Sequence, residues 1–427
     1  MKKNTLAIGI IAVLGIAYVG TAWYTGNMLE NHIDNQLAQI TNKFNHSQDD
    51  FVVSVIKSNY EKHIFSTKLH LTVTASLQNA TGENAQPETL FDDDVTIHHG
   101  PFPVAALAKG TFAPQMAWLE YEMTEQANPT LWKLSGNQPF ITGHAGMSYG
   151  EYITVKLASK AIKVTQNEIP FIDGAFEIGK GNYTISSYTS GSDISTKVEI
   201  DKISLTYPIS LRSNPVSIVI NKFVMDQKNV LNNATNTVDG SFFSRVDSII
   251  FGQQNLGNGS LDFDFKGLDK QLFSNQLGMD YPDSGNTNKK HNIQFSLNKF
   301  NWHNAAGDLN ANLKFDISEV DSSAIDKADY EKINSLKLKL EAPFDVLAHL
   351  SAQIENANAN EVTPAQVAKA KQNLQFMSAF LVSNAKFLTL SNDKTQGIYS
   401  DVSLTKDSNE VSVNGKTMTK EEFFDHL

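Results

Sequence analysis

The chain has no cysteine among its 427 residues. That excludes disulfides, thiolate-bound zinc, iron–sulfur clusters and cysteine nucleophiles in one step, and it is compatible with an oxidising compartment. Positive charge is also scarce. Lys and Arg number 35 against 46 Asp and Glu, a formal net charge of −11. Such a surface repels nucleic acid and anionic headgroups, and no local cluster of basic residues offsets it, so nucleic acid is excluded as a partner. Charge is missing altogether from residues 5–24, and no acidic residue appears before Glu30.

That uncharged run is the clearest feature present. Lys2 and Lys3 precede it, Ile, Leu, Val and Ala fill it, and Trp23 and Tyr24 close it. A helix rises about 1.5 Å per residue, so about 20 residues cross a bilayer core of about 30 Å. Basic residues on its N-terminal side keep residues 1–4 in the cytoplasm and send the bulk of the chain across. Residues 5–25 therefore read as a transmembrane anchor. Gly20-Thr21-Ala22 would also serve as the cleavage site of a secretory signal. The aromatic pair beyond it suits a membrane interface and favours retention. Both readings export the chain.

An apolar fraction of 41% is ample for a core. Leu29, Ile33, Leu37, Ile40 and Phe44 recur at helical spacing, which predicts a juxtamembrane amphipathic helix over 26–48. Its stripe packs on its own domain or forms a dimer seam. The period then changes to two. Phe65, Thr67, Leu69, Leu71, Val73, Ala75 and Leu77 alternate with polar residues, a strand roughly 40 Å long at about 3.3 Å per residue. One dry face and one wet face argue for an antiparallel sheet. Residues 51–57 supply a partner strand, joined through 59–62. Strand-like segments continue at 95–99, 115–123, 152–159, 175–178, 182–187, 194–207, 216–225, 242–251 and 261–265. Segments 291–300 and 308–317 form a hairpin, and 278–290 is a polar loop. Residues 49–325 are thus a β-rich region.

Residues 326–427 are mixed. A strand at 336–340 precedes a helix at 344–355. Thr363, Pro364 and Gln366 read as an N-cap, an N1 proline and a capping box opening a further helix. Strands at 387–390 and 398–404, a turn at Asn414-Gly415 and a short end helix from Thr419 complete the chain. The expected class is α+β: mostly antiparallel β with long strands, an N-terminal transmembrane helix and a mixed C-terminal region.

Chemical motifs are weak. Gly146-Met147-Ser148-Tyr149-Gly150 matches the pattern of a nucleophile elbow. That elbow needs a strand before it and a helix after it, whereas an alternating strand follows here, so a glycine-rich bend is the better reading of Ser148. Gly174–Lys180 resembles the start of a phosphate loop, but Gly181 stands where the Mg²⁺-binding hydroxyl should be. His98 and His99 are adjacent, and a strand would split them to opposite faces. Asp92-Asp93-Asp94 reads as a solvated turn, and Asp262 with Asp264 as a wet strand face, since neither has a calcium loop's Gly and terminal Glu. Ser54/Lys57, Ser296/Lys299, Ser383/Lys386 and Ser403/Lys406 repeat Ser-x-x-Lys without the companion motifs of serine acyltransferases. No catalytic, cofactor-binding or metal-binding residue is assigned, and the chain reads as a non-enzyme.

The basic start with its single apolar run, the long alternating strand, Ile97-His98-His99-Gly100-Pro101-Phe102-Pro103, and Val411-Ser412-Val413-Asn414-Gly415-Lys416 together resemble the YdgA family. These are bacterial inner-membrane proteins whose bulk faces the periplasm and whose function is unassigned. The resemblance implies a Gram-negative envelope location and self-association, and the single pass with a cytoplasmic N-terminus follows from Lys2, Lys3 and the apolar run. It implies no chemistry and no cofactor. Three functions compete. The first is a non-catalytic envelope protein acting through protein interaction or as a homo-oligomer. The second is a carrier in which one-sided strands curl into a groove for lipid or another hydrophobe. The third is a serine hydrolase built on Ser148. The alternating pattern alone does not separate a closed core from an open groove. Burial of Leu69, Leu71 and Val73 is the observation that does.

Overall fold

The computed structural model describes residues 45, 51–63, 66–77, 87–99, 102–165, 174–188, 193–207, 216–270, 291–320, 332–391, 396–405 and 408–424. The apolar run 5–24, the helix expected over 26–48 (Asn45 apart) and the loop 278–290 lie outside them. Among the described residues no helix is long and apolar enough to cross a membrane. The described residues are α+β and mostly antiparallel β, as the alternation implies. The chain forms two compact units, the first reaching to Asp201 and the second running from Lys202.

In the first unit β1 (Phe51–Lys62), β2 (Ser66–Leu77) and β3 (Glu88–His99) pair antiparallel in chain order. Helix α1 (Val104–Ala108) follows Pro103, then β4 (Gln115–Glu122), α2 (Pro129–Leu134), β5 (Ile141–Ser148) and β6 (Tyr152–Ser159). β4 pairs with β3 and β5, and β5 with β6. The sheet continues from β6 to β9 (Gly181–Tyr188) and β10 (Asp193–Tyr207), while β7 (Ile162–Thr165) and β8 (Ala175–Ile178) pair with each other. Register builds the core directly. Ile97, Leu119, Ala145, Val155 and Ile185 stand opposite one another on successive strands, so their side chains share a face. That face is closed: Leu69, Leu71 and Val73 are 1%, 1% and 2% exposed. Helix α2 brings Leu131, Trp132 and Leu134 to the same cluster. The helix starts where it does because the Asn128 carboxamide accepts from Leu131 N at 2.9 Å and Pro129 opens the first turn.

The second unit is a meander. β11 (Val216–Asn232), β12 (Thr237–Phe251), β13 (Gln254–Asp269), β14 (His291–Asn304), β15 (Gly307–Val320) and β16 (Ile333–Pro343) pair in chain order, every pair antiparallel. β16 then pairs with β18 (Gln396–Leu404), whose far side takes β17 (Thr389–Ser391) and β19 (Glu410–Val413), and β19 forms a hairpin with β20 (Lys416–Thr419). Helix α3 (Phe344–Glu355) crosses the end of this sheet, touching β13 to β16 and β18. Asn304 and Gln353 fix it there, donating to Val346 O at 3.0 Å and Asn255 O at 2.8 Å. Helix α4 (Pro364–Asn384) packs on α3 through Val367, Ala370 and Leu374. Its capping box forms as read: Thr363 Oγ1 accepts from Gln366 N at 3.3 Å, and Gln366 Oε1 accepts from Thr363 N at 2.7 Å. Helix α5 (Lys420–Phe424) packs Phe423 into the cluster at the other end of the sheet, with Ile317, Ile333 and Leu404.

Three readings are corrected. Asp92-Asp93-Asp94 is not a solvated turn but the middle of β3. Asp93 points to the dry side, 8% exposed, and its carboxylate accepts from Thr124 Oγ1 at 2.9 Å and Thr124 N at 3.4 Å. Asp92 and Asp94 lie on the wet side and clamp His70, whose Nε2 and Nδ1 lie 2.9 and 2.8 Å from their carboxylates. β1 does not end at 57; a bulge between Ser58 and Glu61 carries it to Lys62. The glycine-rich stretch at Ser148 is mostly strand. Gly146 lies under the Trp118 ring, where an added Cβ would come within 2.9 Å, and only Tyr149 and Gly150 turn.

Two outcomes follow for the first unit. Leu71→Ala removes a fully buried side chain and should cost about 2–5 kcal/mol, whereas Thr74→Ala on the wet side should stay within about 0.5 kcal/mol. Urea unfolding followed by tryptophan fluorescence reads both. The His70 clamp makes stability depend on pH. Hydrogen bonds that His70 donates to Asp94, then Asp92, raise its pKa, and those that Asp92 accepts from Thr72, then His70, lower that of Asp92. The stabilisation from His70 is fully present below its unfolded value of about 6.5 and lost as pH rises through the raised folded value. That from Asp92 is present above about 3.9 and lost as pH falls. The gap in unfolding midpoint between wild type and His70→Gln should therefore be wider at pH 5.5 than at pH 9.

Candidate functional site

Two surfaces qualify by geometry. The first lies on the wet face of the first unit. Glu120, His144 and Lys156 stand opposite one another on β4, β5 and β6, so their side chains lie in one row. His144 stacks on the Trp118 ring with centroids 4.7 Å apart. Trp118 is itself 3% exposed, although it lies on this wet side. Lys109, at the end of α1, helps to line a cavity of about 490 Å³ together with Glu120, Glu122, Thr142, His144 and Lys156. Burial lowers the His144 pKa, with Lys156 adding to the effect, so the imidazole is neutral at pH 7. The lining is of mixed sign, Lys109 and Lys156 against Glu120 and Glu122, and favours no ligand of one charge.

The second surface is one face of the meander in the second unit. Three rows run across its strands. Ser244, Leu261, Phe300, Ala311, Leu340 and Ser400 make one. Phe242, Phe263, Leu297, Leu313, Leu338 and Val402 make the next. Gly240, Phe265, Phe295, Phe315, Leu336 and Leu404 make the third. A bulge in β14 between Leu297 and Phe300 keeps these two residues on the same face although they are three apart. Phe242 and Phe263 stack at 5.1 Å, and Phe263 meets Phe295 at 5.7 Å. No charged residue stands in these rows. The opposite face carries Asp262, Asp264, Lys299, Lys314, Lys337 and Lys339.

Burial separates this face from the core of the first unit. From β12 to β16 the row residues Phe242, Leu261, Phe263, Phe295, Leu297, Phe300, Leu313, Phe315, Leu336, Leu338 and Leu340 are only partly buried. The same two-residue alternation is thus fully capped in the first unit and only partly in the second, where Phe265, Val402 and Leu404 are buried and Phe315, Leu336 and Leu338 pack against the cluster that holds Phe423 of α5. α3 and α5 stop its two ends. Asn229, opposite Gly240 at the β11 side of the third row, is 2% exposed, and neither atom of its carboxamide has a hydrogen-bond partner among the described residues.

The motif residues do not converge. Ser148 ends β5, and its Oγ accepts from Tyr152 N at 3.2 Å at a strand–strand turn, so no helix follows as an elbow requires. The phosphate-loop match at Gly174–Lys180 is strand β8 with its flanks. His98 and His99 alternate at the end of β3, and His98 faces Trp118. Asp262 and Asp264 accept from the Asn298 carboxamide, at 3.4 and 2.6 Å, on the wet face as read. Among the described residues no three His, Asp or Glu side chains gather as a metal site would need. Sequence reading missed the Glu120–His144–Lys156 row because β5, with Gly143, His144 and Gly146 inside it, does not read as a strand. Only register brings the three together.

The comparisons with known proteins add no chemistry. Protein YdgA of Escherichia coli K12 is 22% identical over 99% of this chain and 96% of its own length. The uncharacterised protein YihF of the same organism is 21% identical over 98% of this chain and 97% of its own. An uncharacterised protein of Haemophilus influenzae is 24% identical over 27% of this chain and 30% of its own. No solved structure matches. A family described as "Bacterial protein of unknown function (DUF945)" matches residues 1–232, and the chain belongs to that family.

Proposed function

We propose that this is a non-catalytic protein of the bacterial envelope, anchored in the inner membrane by residues 5–25 with its bulk in the periplasm, and that it works by binding an acyl-chain ligand on the open apolar face of its second unit. The observation that carries this reading is the difference in burial between two chemically alike faces. Leu69, Leu71 and Val73 are sealed, while Phe242, Phe263, Phe295 and Phe315 are not. A contiguous apolar face left open in a folded protein is where an apolar partner binds.

Chemistry narrows the partner. An extended polypeptide laid across the face would bring backbone N–H and C=O groups that the rows cannot satisfy, at several kcal/mol apiece, whereas a helix would satisfy its own. A hydrocarbon chain brings none. Size agrees too. Strands lie about 4.8 Å apart, so a row from β12 to β16 is roughly 20 Å long. One acyl chain occupies about half of a bilayer core of about 30 Å. The free carboxamide of Asn229 offers a donor and an acceptor to the polar end of such a ligand.

Full-length protein released in mild detergent should carry co-isolated lipid in native mass spectrometry. Phe263→Ser with Phe315→Ser should weaken binding of a fluorescent fatty acid on the order of tenfold, the loss of roughly 1.4 kcal/mol of apolar contact. Circular dichroism melts establish that the variant is folded. Absence of lipid, together with unchanged binding by the folded variant, would reject the reading in favour of a surface for protein partners.

A further inference from the structure

Helix α4 is amphipathic in the wrong direction for a soluble protein over its C-terminal half. Its N-terminal half is held against α3 by Val367, Ala370 and Leu374. Further on, Phe376, Met377, Phe380 and Leu381 are 84%, 64%, 73% and 52% exposed. Spacings of one, four and five put the four on one side of the helix. Ser378 between them is 2% exposed and turned inward. From Gln372 to Ala385 there is no charged residue, while Lys369 and Lys371 precede this stretch and Lys386 follows it.

We propose that this face of α4 lies in the surface of a lipid bilayer, with the aromatic rings and Met377 at the boundary between headgroups and acyl chains. Area argues for a bilayer over a second copy of the chain. Whole aromatic residues bury about 150–250 Å² each, so the four side chains together offer on the order of 500 Å². A stable protein interface takes about 800 Å² from each partner. A bilayer imposes no such threshold, because apolar side chains partition into it one by one. Charge agrees. The chain as a whole is acidic, at −11, and would be held off an anionic surface. The uncharged stretch is the part that can approach, and flanking lysines can reach back to the headgroups.

The placement also gives the contact a role. α4 is seated on α3, and α3 crosses the end of the sheet that carries the open apolar rows. A bilayer touching α4 is therefore next to one end of those rows, where an acyl chain would pass between membrane and protein. This role rests on the carrier reading. The bilayer contact itself does not.

The absence of native cysteine permits a clean test on the full chain. The protein is reconstituted into phosphatidylcholine vesicles with an environment-sensitive fluorophore at Met377→Cys or, as reference, at Ala234→Cys in the turn between β11 and β12 at the opposite end of the same unit. Emission at Met377→Cys should shift to the blue, and lipids brominated in their acyl chains should quench it several-fold more than at Ala234→Cys. Adding Phe376→Ser and Phe380→Ser should remove most of that difference. Both are surface positions, and an unchanged melt shows the fold is kept. Equal quenching at the two sites would overturn the proposal. So would a blue shift insensitive to brominated lipid, which would mean that protein covers the helix. Quenching retained in protein that carries no lipid would count against the carrier reading alone. Lipid carried without quenching would count against the bilayer contact alone.

Discussion

The structure depends on one constraint. In a strand, side chains point alternately to two sides, so an alternating sequence makes a sheet with one apolar face, and that face must be covered by something. The first unit meets the constraint within itself. β2 lays Leu69, Leu71 and Val73 into a cluster that reaches Leu119, Val155 and Leu131 of α2. Each such residue contributes roughly 1.5–3 kcal/mol when fully buried. The second unit has strands as long and as regular, yet its helices sit towards the ends of the sheet, and α5 covers only the part of the face around Phe315, Leu336 and Leu404. The two units thus share a grammar and differ in whether the cover belongs to the chain.

Covering one face fixes what the other can hold. On the wet side of both sheets the polar residues are not loose charges but cross-strand partners. His70 sits between Asp92 and Asp94, and Asn298 between Asp262 and Asp264. Such pairs lie about 5 Å apart by register alone and stabilise the ladder without the geometry of a reacting site. The Glu120–His144–Lys156 row is the exception: it lines a cavity together with Lys109, and its His144 stacks on the buried Trp118 ring. Its imidazole is kept neutral by burial, and its lining balances two lysines against two glutamates.

Much of the fold was legible in the sequence, for a physical reason. Period-two alternation with turn residues between gave β6 and β8 at their observed bounds, and the capping residues Thr363 and Gln366 gave the start of α4. The failures share a cause as well. Asp93 is a buried charge tolerated because Thr124 satisfies it, so residues 92–94 of β3 looked like a turn although 95–99 read as strand. Gly143 and Gly146 are glycines of close approach rather than of bending, so β5 did not look like a strand at all. The β14 bulge, which returns Phe300 to the face of Leu297, breaks the period that a sequence reading follows. Nothing in residues 261–265 or 313–317 distinguishes them from the core strand β2, because openness is a property of what lies opposite and not of the strand.

That difference has an energetic consequence for the molecule as a whole. A sealed core draws its stability from contacts present in every copy of the folded chain. An open face keeps part of its apolar area in water, so part of its stabilisation is realised only when an occupant arrives. An occupant that binds the folded state alone adds RT ln(1 + [L]/Kd), about 2.7 kcal/mol at a hundredfold excess over Kd. On the proposed lipid binding, the second unit's stability is tied to its ligand and the first unit's is not. An apolar face is a liability when it is exposed to other proteins. In the second unit it is confined between α3 and α5 and backed by lysines and aspartates, which limits that liability.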